Sequence, residues 1–141
     1  MLSERTPELW IRSPGGESSL HLLGHGPDWP AYFWAELEDA GLKCRARVSA
    51  VDPSGRKFST VFREIDESWR GWEGERVWES PEGELELRFS MSATGRITVK
   101  VMLRDPYRWT ARTELSLQSG DELSQLAKDA QAFQDLLENA A

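Results

Sequence analysis

The sequence predicts an α+β domain, an antiparallel sheet of about six to seven strands with two helices packed on one face. Apolar and polar residues alternate with a period of two through several segments, as in strands with one buried face. Short turn-forming stretches separate these segments, and short loops join strands antiparallel. Two other segments repeat their apolar residues with the helical period, so each has one apolar face to bury against the sheet.

Length and composition indicate a single globular domain that spans residues 1–141. With 39% hydrophobic residues, the chain can bury roughly two thirds of its unfolded surface in one core. The single cysteine, Cys44, cannot form an internal disulfide, and the first residues lack the basic-then-apolar order of a signal peptide. We therefore expect a cytoplasmic protein, and no apolar run approaches the roughly 18 residues that cross a bilayer.

Two short strands are predicted at residues 8–12 and 18–24, because Ser13-Pro14-Gly15-Gly16 between them favours a turn. Residues 24–30 then form a loop, since two prolines and two glycines remove hydrogen-bond donors and regular geometry. His21 and His25 are four residues apart, a spacing that suits a metal ion only on a helix. The glycines and prolines argue against a helix there, so no metal site is predicted.

A second hairpin is predicted with strands at residues 31–39 and 42–50, joined at Ala40-Gly41. Its inner face pairs apolar residues with small or apolar ones. A slip of one residue would set charges against the core, so the register is well specified. The outer face sets three pairs opposite each other, the last as a cation–π pair: Glu38 with Lys43, Glu36 with Arg45, and Trp34 with Arg47.

The period changes to that of a helix after the turn Asp52-Pro53-Ser54-Gly55. Gly71 is expected to be the left-handed C-terminal cap, so that Trp72 and Trp78 fold back beneath the helix. Three tryptophans within ten residues predict a mainly buried corner, with Trp69 and Trp78 buried and Trp72 at least partly so. The helix is predicted from about residue 56 to 70 because its apolar stripe comprises Phe58, Val61, Phe62, Ile65 and Trp69.

Three more strands and a helix are predicted in the second half of the chain. Alternation marks strands at 84–91 and 96–104, joined by the loop Ala93-Thr94-Gly95, and a third strand at 107–117 with Tyr107 facing inward. The last helix begins after Ser119-Gly120-Asp121. The residues predicted to be buried together are Phe33, Leu37, Val48, Phe62, Ile65, Leu87, Phe89, Val99, Val101, Leu115, Leu126 and Phe133.

A tryptophan-glycine-tryptophan corner, Trp69-Arg70-Gly71-Trp72-Glu73-Gly74, precedes Val77-Trp78-Glu79-Ser80-Pro81-Glu82-Gly83-Glu84-Leu85 and Trp109. A glycine and an acid then open the last helix within residues 117–123. In this combination, residues from about 58 to 130 resemble a family of small uncharacterised bacterial proteins that is common in actinomycetes. The resemblance implies a domain of unknown function and carries over no catalytic residue.

No pattern of catalytic or cofactor-binding residues stands out, so the sequence favours a non-enzymatic protein without a cofactor or a metal ion. Cys44 lies on the predicted inner face beside Ala46, which favours a small core thiol over a nucleophile. The glycines at 71, 74 and 83 match no phosphate-binding loop. The carboxylates occur in runs, which are typical of solvated faces rather than of acid-base pairs.

The net charge of -7 opposes general nucleic-acid affinity and favours encounter with a basic partner. Small size, aromatic richness and acidity favour a protein-binding domain of the immunity or inhibitor kind, which would neutralise a basic toxin. The predicted contacts are acids around the first helix and the following loop, together with one aromatic anchor: Glu64, Glu67, Trp72, Glu73, Glu75, Glu79 and Glu82.

Two alternative functions are compatible with the same sequence. One is a ligand-binding or enzymatic domain with a pocket near Trp69, Trp72 and Trp78, where Glu73, Glu75 or Arg76 would make polar contacts. The other is nucleic-acid binding over the outer sheet face, where Tyr32 and Trp34 would stack on bases. That face is predicted to carry Lys43, Arg45, Arg47, Arg88, Arg96, Lys100, Arg104, Arg108 and Arg112 against Glu36, Glu38, Glu84, Glu86 and Glu114.

Overall fold

The computed structural model of the protein describes residues 7–26, 28–50 and 57–140, and it confirms the α+β class. The predicted turn at residues 52–55 and the predicted helix start at residue 56 lie outside these ranges. The chain forms, in order, β1 Glu8–Arg12, β2 Ser19–Leu23, β3 Tyr32–Asp39, β4 Leu42–Ser49, α1 Phe58–Glu67, β5 Arg76–Glu79, β6 Leu85–Met91, β7 Arg96–Asp105, β8 Trp109–Gln118 and α2 Asp121–Ala140.

The strands form two antiparallel sheets of four strands each, so the predicted single sheet of six to seven strands is wrong. The first sheet has the order β1-β2-β3-β4 and the second the order β5-β6-β7-β8. Alternation predicts the face that each strand buries, but it does not tell whether the two halves of the chain pair with each other. The additional strand is β5, whose four residues are too few for alternation to reveal.

Helix α2 bridges the two sheets and α1 packs against α2 and the second sheet, whereas the sequence placed both helices on one face of a single sheet. The helices pack against each other, α1 also contacts β5, and α2 contacts β1 of the first sheet and β8 of the second. All the residues predicted to be buried together belong to one hydrophobic cluster, to which both sheets and both helices contribute. Within the described ranges, neither helix combines the length and apolar composition that crossing a bilayer requires.

The register of the second hairpin is confirmed: Trp34 lies opposite Arg47, Glu36 opposite Arg45 and Glu38 opposite Lys43. The cation–π contacts, however, join diagonal neighbours rather than directly opposite residues. Arg45 lies over the ring of Trp34 at 4.2 Å from its centroid, and Arg47 lies over Tyr32 at 4.4 Å. Long side chains reach a diagonal neighbour as easily as the directly opposite residue, so register alone does not decide which ring an arginine covers.

Asp39, at the end of β3, links the first sheet to the second. Its carboxylate accepts hydrogen bonds from the hydroxyl of Thr113 on β8, from Ser18 Oγ at 2.9 Å and from the backbone N–H of Ala40 at 2.7 Å. The bond from Thr113, followed by the other two, lowers the pKa of Asp39. The stability that these bonds contribute is therefore present above the unfolded-state pKa and is lost as the pH falls through the lowered one.

Helix α1 ends at Glu67, earlier than the predicted residue 70. The Ser68 N–H is shared between the carbonyl oxygens of Glu64 and Ile65, and the Gly71 N–H donates to Ser68 at 2.8 Å in a separate turn. Gly71 has the predicted positive φ, 123°, but it is not the helix cap. Because the helix stops before Trp69, that side chain leaves the buried stripe and is 55% exposed, so its predicted burial is wrong.

Tyr107 and Glu84 also depart from their predicted positions. Tyr107 was expected to face inward, but β8 begins only at Trp109, so Tyr107 lies in the preceding turn and is 95% exposed. Glu84 was expected on the outer face, but it lies just before β6 and is 4% exposed. Both residues flank a strand, where alternation no longer determines the direction of a side chain.

Replacing Gly71 with valine should lower the free energy of unfolding by about 1–2 kcal/mol, because a β-branched residue strongly resists a positive φ. Crowding is not the cause, since a Cβ at this position would meet only Met91 Sδ, at 3.8 Å. Urea denaturation measures the change, and Glu73→Val on the same loop is the control because residue 73 has a negative φ. Equal losses in the two variants would contradict the conformational argument.

Candidate functional site

The tryptophan corner, residues 69–78, contains three indoles with different environments. Trp78 is buried and packs edge-on against Phe58 of α1, with 5.2 Å between the ring centroids. Trp72 is half-buried, and its Nε1–H donates to the carbonyl oxygen of Phe89 on β6 at 3.3 Å. Trp69 is the most exposed of the seven tryptophans. The corner is thus anchored in the second sheet by two indoles and presents the third to solvent.

A shallow depression of about 600 Å³ lies beside Trp69. We call it the corner depression. Its wall combines two indoles, a thioether, three hydroxyls and one guanidinium, and no carboxylate or imidazole of the described residues lines it. The Arg70 guanidinium lies over the Trp69 ring, 5.0 Å from the ring centroid. The lining residues are Trp69, Arg70, Gly71, Trp72, Met91, residues 92–95 and Ser119.

The structure does not bring the six predicted acids into one cluster. Glu67 and Glu73 are exposed, and in the sequence they flank the segment that lines the corner depression. A Glu64 oxygen lies 4.0 Å from Arg76 Nη1. Glu79 and Glu82 are exposed at the far end of β5. There the Glu82 carboxylate accepts a 2.5 Å hydrogen bond from the Tyr32 hydroxyl, a bond that raises the pKa of Tyr32. The acids therefore form two groups, one at each end of β5.

Glu75 is exposed, but its carboxylate is paired with two cations on the outer face of the second sheet. Arg88 and Lys100 lie directly opposite each other on β6 and β7. One Glu75 oxygen lies 3.2 Å from Arg88 Nη1 and the other lies 3.6 Å from Lys100 Nζ. Like charges on facing strands repel, so Glu75 offsets a repulsion that the sheet would otherwise contain. Hydrogen bonds from Arg88 to Glu86 and to Glu75 raise the pKa of Arg88.

The comparison with protein families gives one result: a family of unknown function, DUF6228, matches residues 13–136. The chain belongs to the DUF6228 family. The match runs from the β1–β2 turn almost to the end of α2, so it includes every strand except β1, both helices and the tryptophan corner. It confirms that the chain contains a domain of unknown function, and the matched residues include the region of about residues 58 to 130. No curated protein and no solved structure matches the chain.

His21 of this DUF6228 chain is enclosed on the outer face of the first sheet. Its Nε2 lies 3.0 Å from a Glu8 oxygen and its Nδ1 lies 3.4 Å from a Glu36 oxygen, while its ring stacks on Trp10 at 3.5 Å. Because the two carboxylates approach different ring nitrogens, the three side chains share no common metal position. Among the described residues, no group of three or more His, Cys, Asp or Glu side chains is arranged to hold a metal ion.

The remaining candidate residues of the DUF6228 chain, which are a cysteine, two aromatic residues and the basic residues, make contacts within the fold. Cys44 is half-buried, and burial raises the pKa of its thiol, which disfavours the reactive thiolate. Tyr32 and Trp34 each carry an arginine on one ring face. The basic residues assigned to one outer face are divided between β4 of the first sheet and β6–β8 of the second, with Arg108 in the turn before β8.

Glu84 is the polar residue of this DUF6228 chain whose environment sequence reasoning missed. Its carboxylate accepts hydrogen bonds from Ser49 Oγ at 2.7 Å, from the Ser49 backbone N–H at 3.1 Å and from Ser80 Oγ at 2.8 Å. These bonds join the end of β4 to the start of β6, so they connect the two sheets. No sequence signal reveals the contact, because Ser49 and Glu84 are 35 residues apart. Met91 and residues 92–95 were missed for the same reason, since nothing local places them against the corner.

Proposed function

We propose that this protein is a non-enzymatic binding protein that docks a partner protein at the corner depression. The partner is a basic protein, and the specific form of the proposal is an immunity or inhibitor protein that neutralises a basic toxin. The observation that carries the proposal is the 55% exposure of Trp69 beside Trp72 and Met91. Tryptophan is among the residues most enriched at the energetic centres of protein interfaces.

One wall of the corner depression is ordered before the partner binds, which lowers the entropy lost on association. Trp72 forms one wall of the corner depression and is bound to the Phe89 carbonyl, so that wall does not have to be ordered by the partner. Met91 supplies an adaptable apolar surface beside it. A partner side chain inserted between Trp69 and Trp72 would bury both indoles further and remove Trp69 from water.

The charges around the corner depression favour an apolar anchor within it and cations around it. Arg70 lines the depression, so it repels a cation placed inside and can donate to a carbonyl oxygen of the partner. Glu67 and Glu73 are exposed on the adjoining helix end and loop, and the whole chain has a net charge of -7. Acids at a rim chiefly raise the association rate of a basic partner, an effect that salt screens.

The proposed interface uses fewer of the acids than the set predicted from the sequence. Trp69 joins Trp72 as anchor, and Glu67, Glu73 and Glu64 remain as rim acids. Glu75 is assigned to the contact with Arg88 and Lys100 on the outer face of the second sheet. Glu79 and Glu82 lie at the other end of β5, so they take part only if the partner spans that strand.

The experiment is a pull-down from the native host followed by binding kinetics with the recovered protein. We expect Trp69→Ala to weaken the affinity roughly 30- to 1,000-fold, mainly through faster dissociation. Trp10→Ala is the matched control: Trp10 is 38% exposed, but Arg12 and His21 contact its ring. Glu67→Lys together with Glu73→Lys should slow association and flatten its dependence on salt. Equal binding by wild type and Trp69→Ala would overturn the proposal.

A small molecule in the corner depression is the second candidate, because its two indoles, three hydroxyls and one guanidinium also suit a ligand with a flat apolar face and polar edges. Native mass spectrometry of protein purified from the host separates the two functions. A bound small molecule that is lost in Trp72→Ala, without recovery of any protein partner, would support this candidate and reject the first. No described contact specifically favours binding of nucleic acid.

A further inference from the structure

Strand β8 is an edge strand whose first half has outward-facing backbone groups. The Ser116 N–H donates to Ser13 Oγ at 3.0 Å, away from β7. Backbone groups alternate in direction along a strand, so those of Thr110, Arg112 and Glu114 point to the same open side. The hydrogen bonds of β7 lead to the same conclusion. The Arg104 N–H donates to the Glu84 carbonyl at 2.8 Å, towards β6, so the backbone groups of the odd-numbered β7 residues face β8 and bond to its odd-numbered residues.

The open edge, residues 110–114, is uncovered in the described part of the molecule. No hydrogen bond from another element reaches the backbone of Thr110, Arg112 or Glu114 in those ranges, and all three residues are exposed. The β1–β2 turn reaches this side of β8 only at Ser116. Ala111, on the inner side of the open edge, is half-buried and packs at the margin of the core, so a further strand would cover it.

We infer that the open edge pairs with the open edge of a second copy of this chain, joining two four-stranded sheets into one of eight strands. The pairing is antiparallel about a two-fold axis at Thr113, as isologous contacts require. In this register Arg112 of each copy lies opposite Glu114 of the other. The Thr113 hydroxyl remains with Asp39 on the inner side, so it does not obstruct the edge.

The charges of the open edge decide this register. Charged side chains on an edge normally prevent pairing with another strand, because a like charge then meets a like charge. Arg112 and Glu114 are two positions apart on the same face, so an antiparallel copy centred between them pairs opposite charges twice. The ladder ends before Ser116, whose N–H is already bonded to Ser13. The interface is therefore short, and we expect a reversible dimer rather than an obligate one.

Sedimentation equilibrium over a wide concentration range tests the inference. We expect a monomer–dimer equilibrium, and either Arg112→Glu or Glu114→Arg should raise its dissociation constant about tenfold or more. The double variant, Arg112→Glu with Glu114→Arg, restores the opposite pairs and should recover the wild-type constant. Lys128→Glu is the charge-reversal control on the exposed side of α2, and it should leave the equilibrium unchanged.

A second measurement uses the wild-type protein alone, so its result does not depend on whether a variant folds. Amide hydrogen exchange of the wild type should slow at Arg112 and Glu114 as the concentration rises, whereas the Lys128 amide should not change. A protein that remains monomeric at every concentration would overturn the inference. A dimer with unprotected Arg112 and Glu114 amides, or one that resists both single reversals, would assign the contact to another surface and overturn it equally.

Discussion

Replacing Phe133 with alanine should lower the free energy of unfolding by about 3–5 kcal/mol. The side chain is 2% exposed and lies where α2 meets α1 and the first sheet. Its ring contacts Phe33 of β3 at 5.4 Å and Phe58 of α1 at 6.0 Å between centroids, in both cases edge-on. Trp29 adds a third edge-on contact at 6.0 Å. Alanine would leave a cavity between three elements, which no single movement can close.

Urea denaturation of the purified variants measures this loss against a total stability on the order of 5–15 kcal/mol for a domain. Phe133→Leu retains much of the volume and should cost less, although it loses the ring contacts. Lys128→Ala, on the exposed side of the same helix, controls for helix propensity and should change stability by less than about 0.5 kcal/mol. A loss below 1 kcal/mol for Phe133→Ala would contradict the packing described here.

Replacing Glu84 with alanine should cost about 3 kcal/mol or more, since hydrogen bonds to a charged group contribute about 1.5–3 kcal/mol each and their donors would remain buried. Three donors converge on this carboxylate, from Ser49 and Ser80. Both serines are themselves buried. The backbone N–H of Ser49 is the most serious loss, because it cannot turn towards another acceptor as a hydroxyl can.

Glu82→Ala is the matched control for Glu84, because it removes an exposed carboxylate two residues away whose one hydrogen bond within the described ranges comes from the Tyr32 hydroxyl. We expect it to change stability by about 0.5 kcal/mol or less. Glu84→Gln should fall between the two, because the amide keeps one acceptor oxygen but sets an NH₂ group against a donor. Thermal and urea unfolding give the order of the three variants. Similar losses at positions 82 and 84 would show that the serine cluster contributes little.

The candidate site was located in the sequence but not described by it. The density of tryptophan within residues 69–78 marked the corner, and the burial of Trp78 and the partial burial of Trp72 were confirmed. The prediction for Trp69 is wrong because helical spacing extends the apolar stripe of α1 beyond the residue at which the helix ends. The helix ends at Glu67, where Ser68 shares its N–H between two carbonyls, and a helix end is the feature that periodicity determines least.

The sequence by itself determined the hairpins, the register of β3 with β4 and the side chains of the core. These depend on turn residues and on alternation between strands that are adjacent in the chain, so the information is local. Only the tertiary structure decided that there are two sheets, that Glu84 is buried and that Trp69 is exposed. The contacts responsible join Ser49 to Glu84 and Asp39 to Thr113, which are 35 and 74 residues apart. A periodic pattern indicates which face of an element is apolar, but it does not indicate which polar groups, distant in the sequence, contact that element.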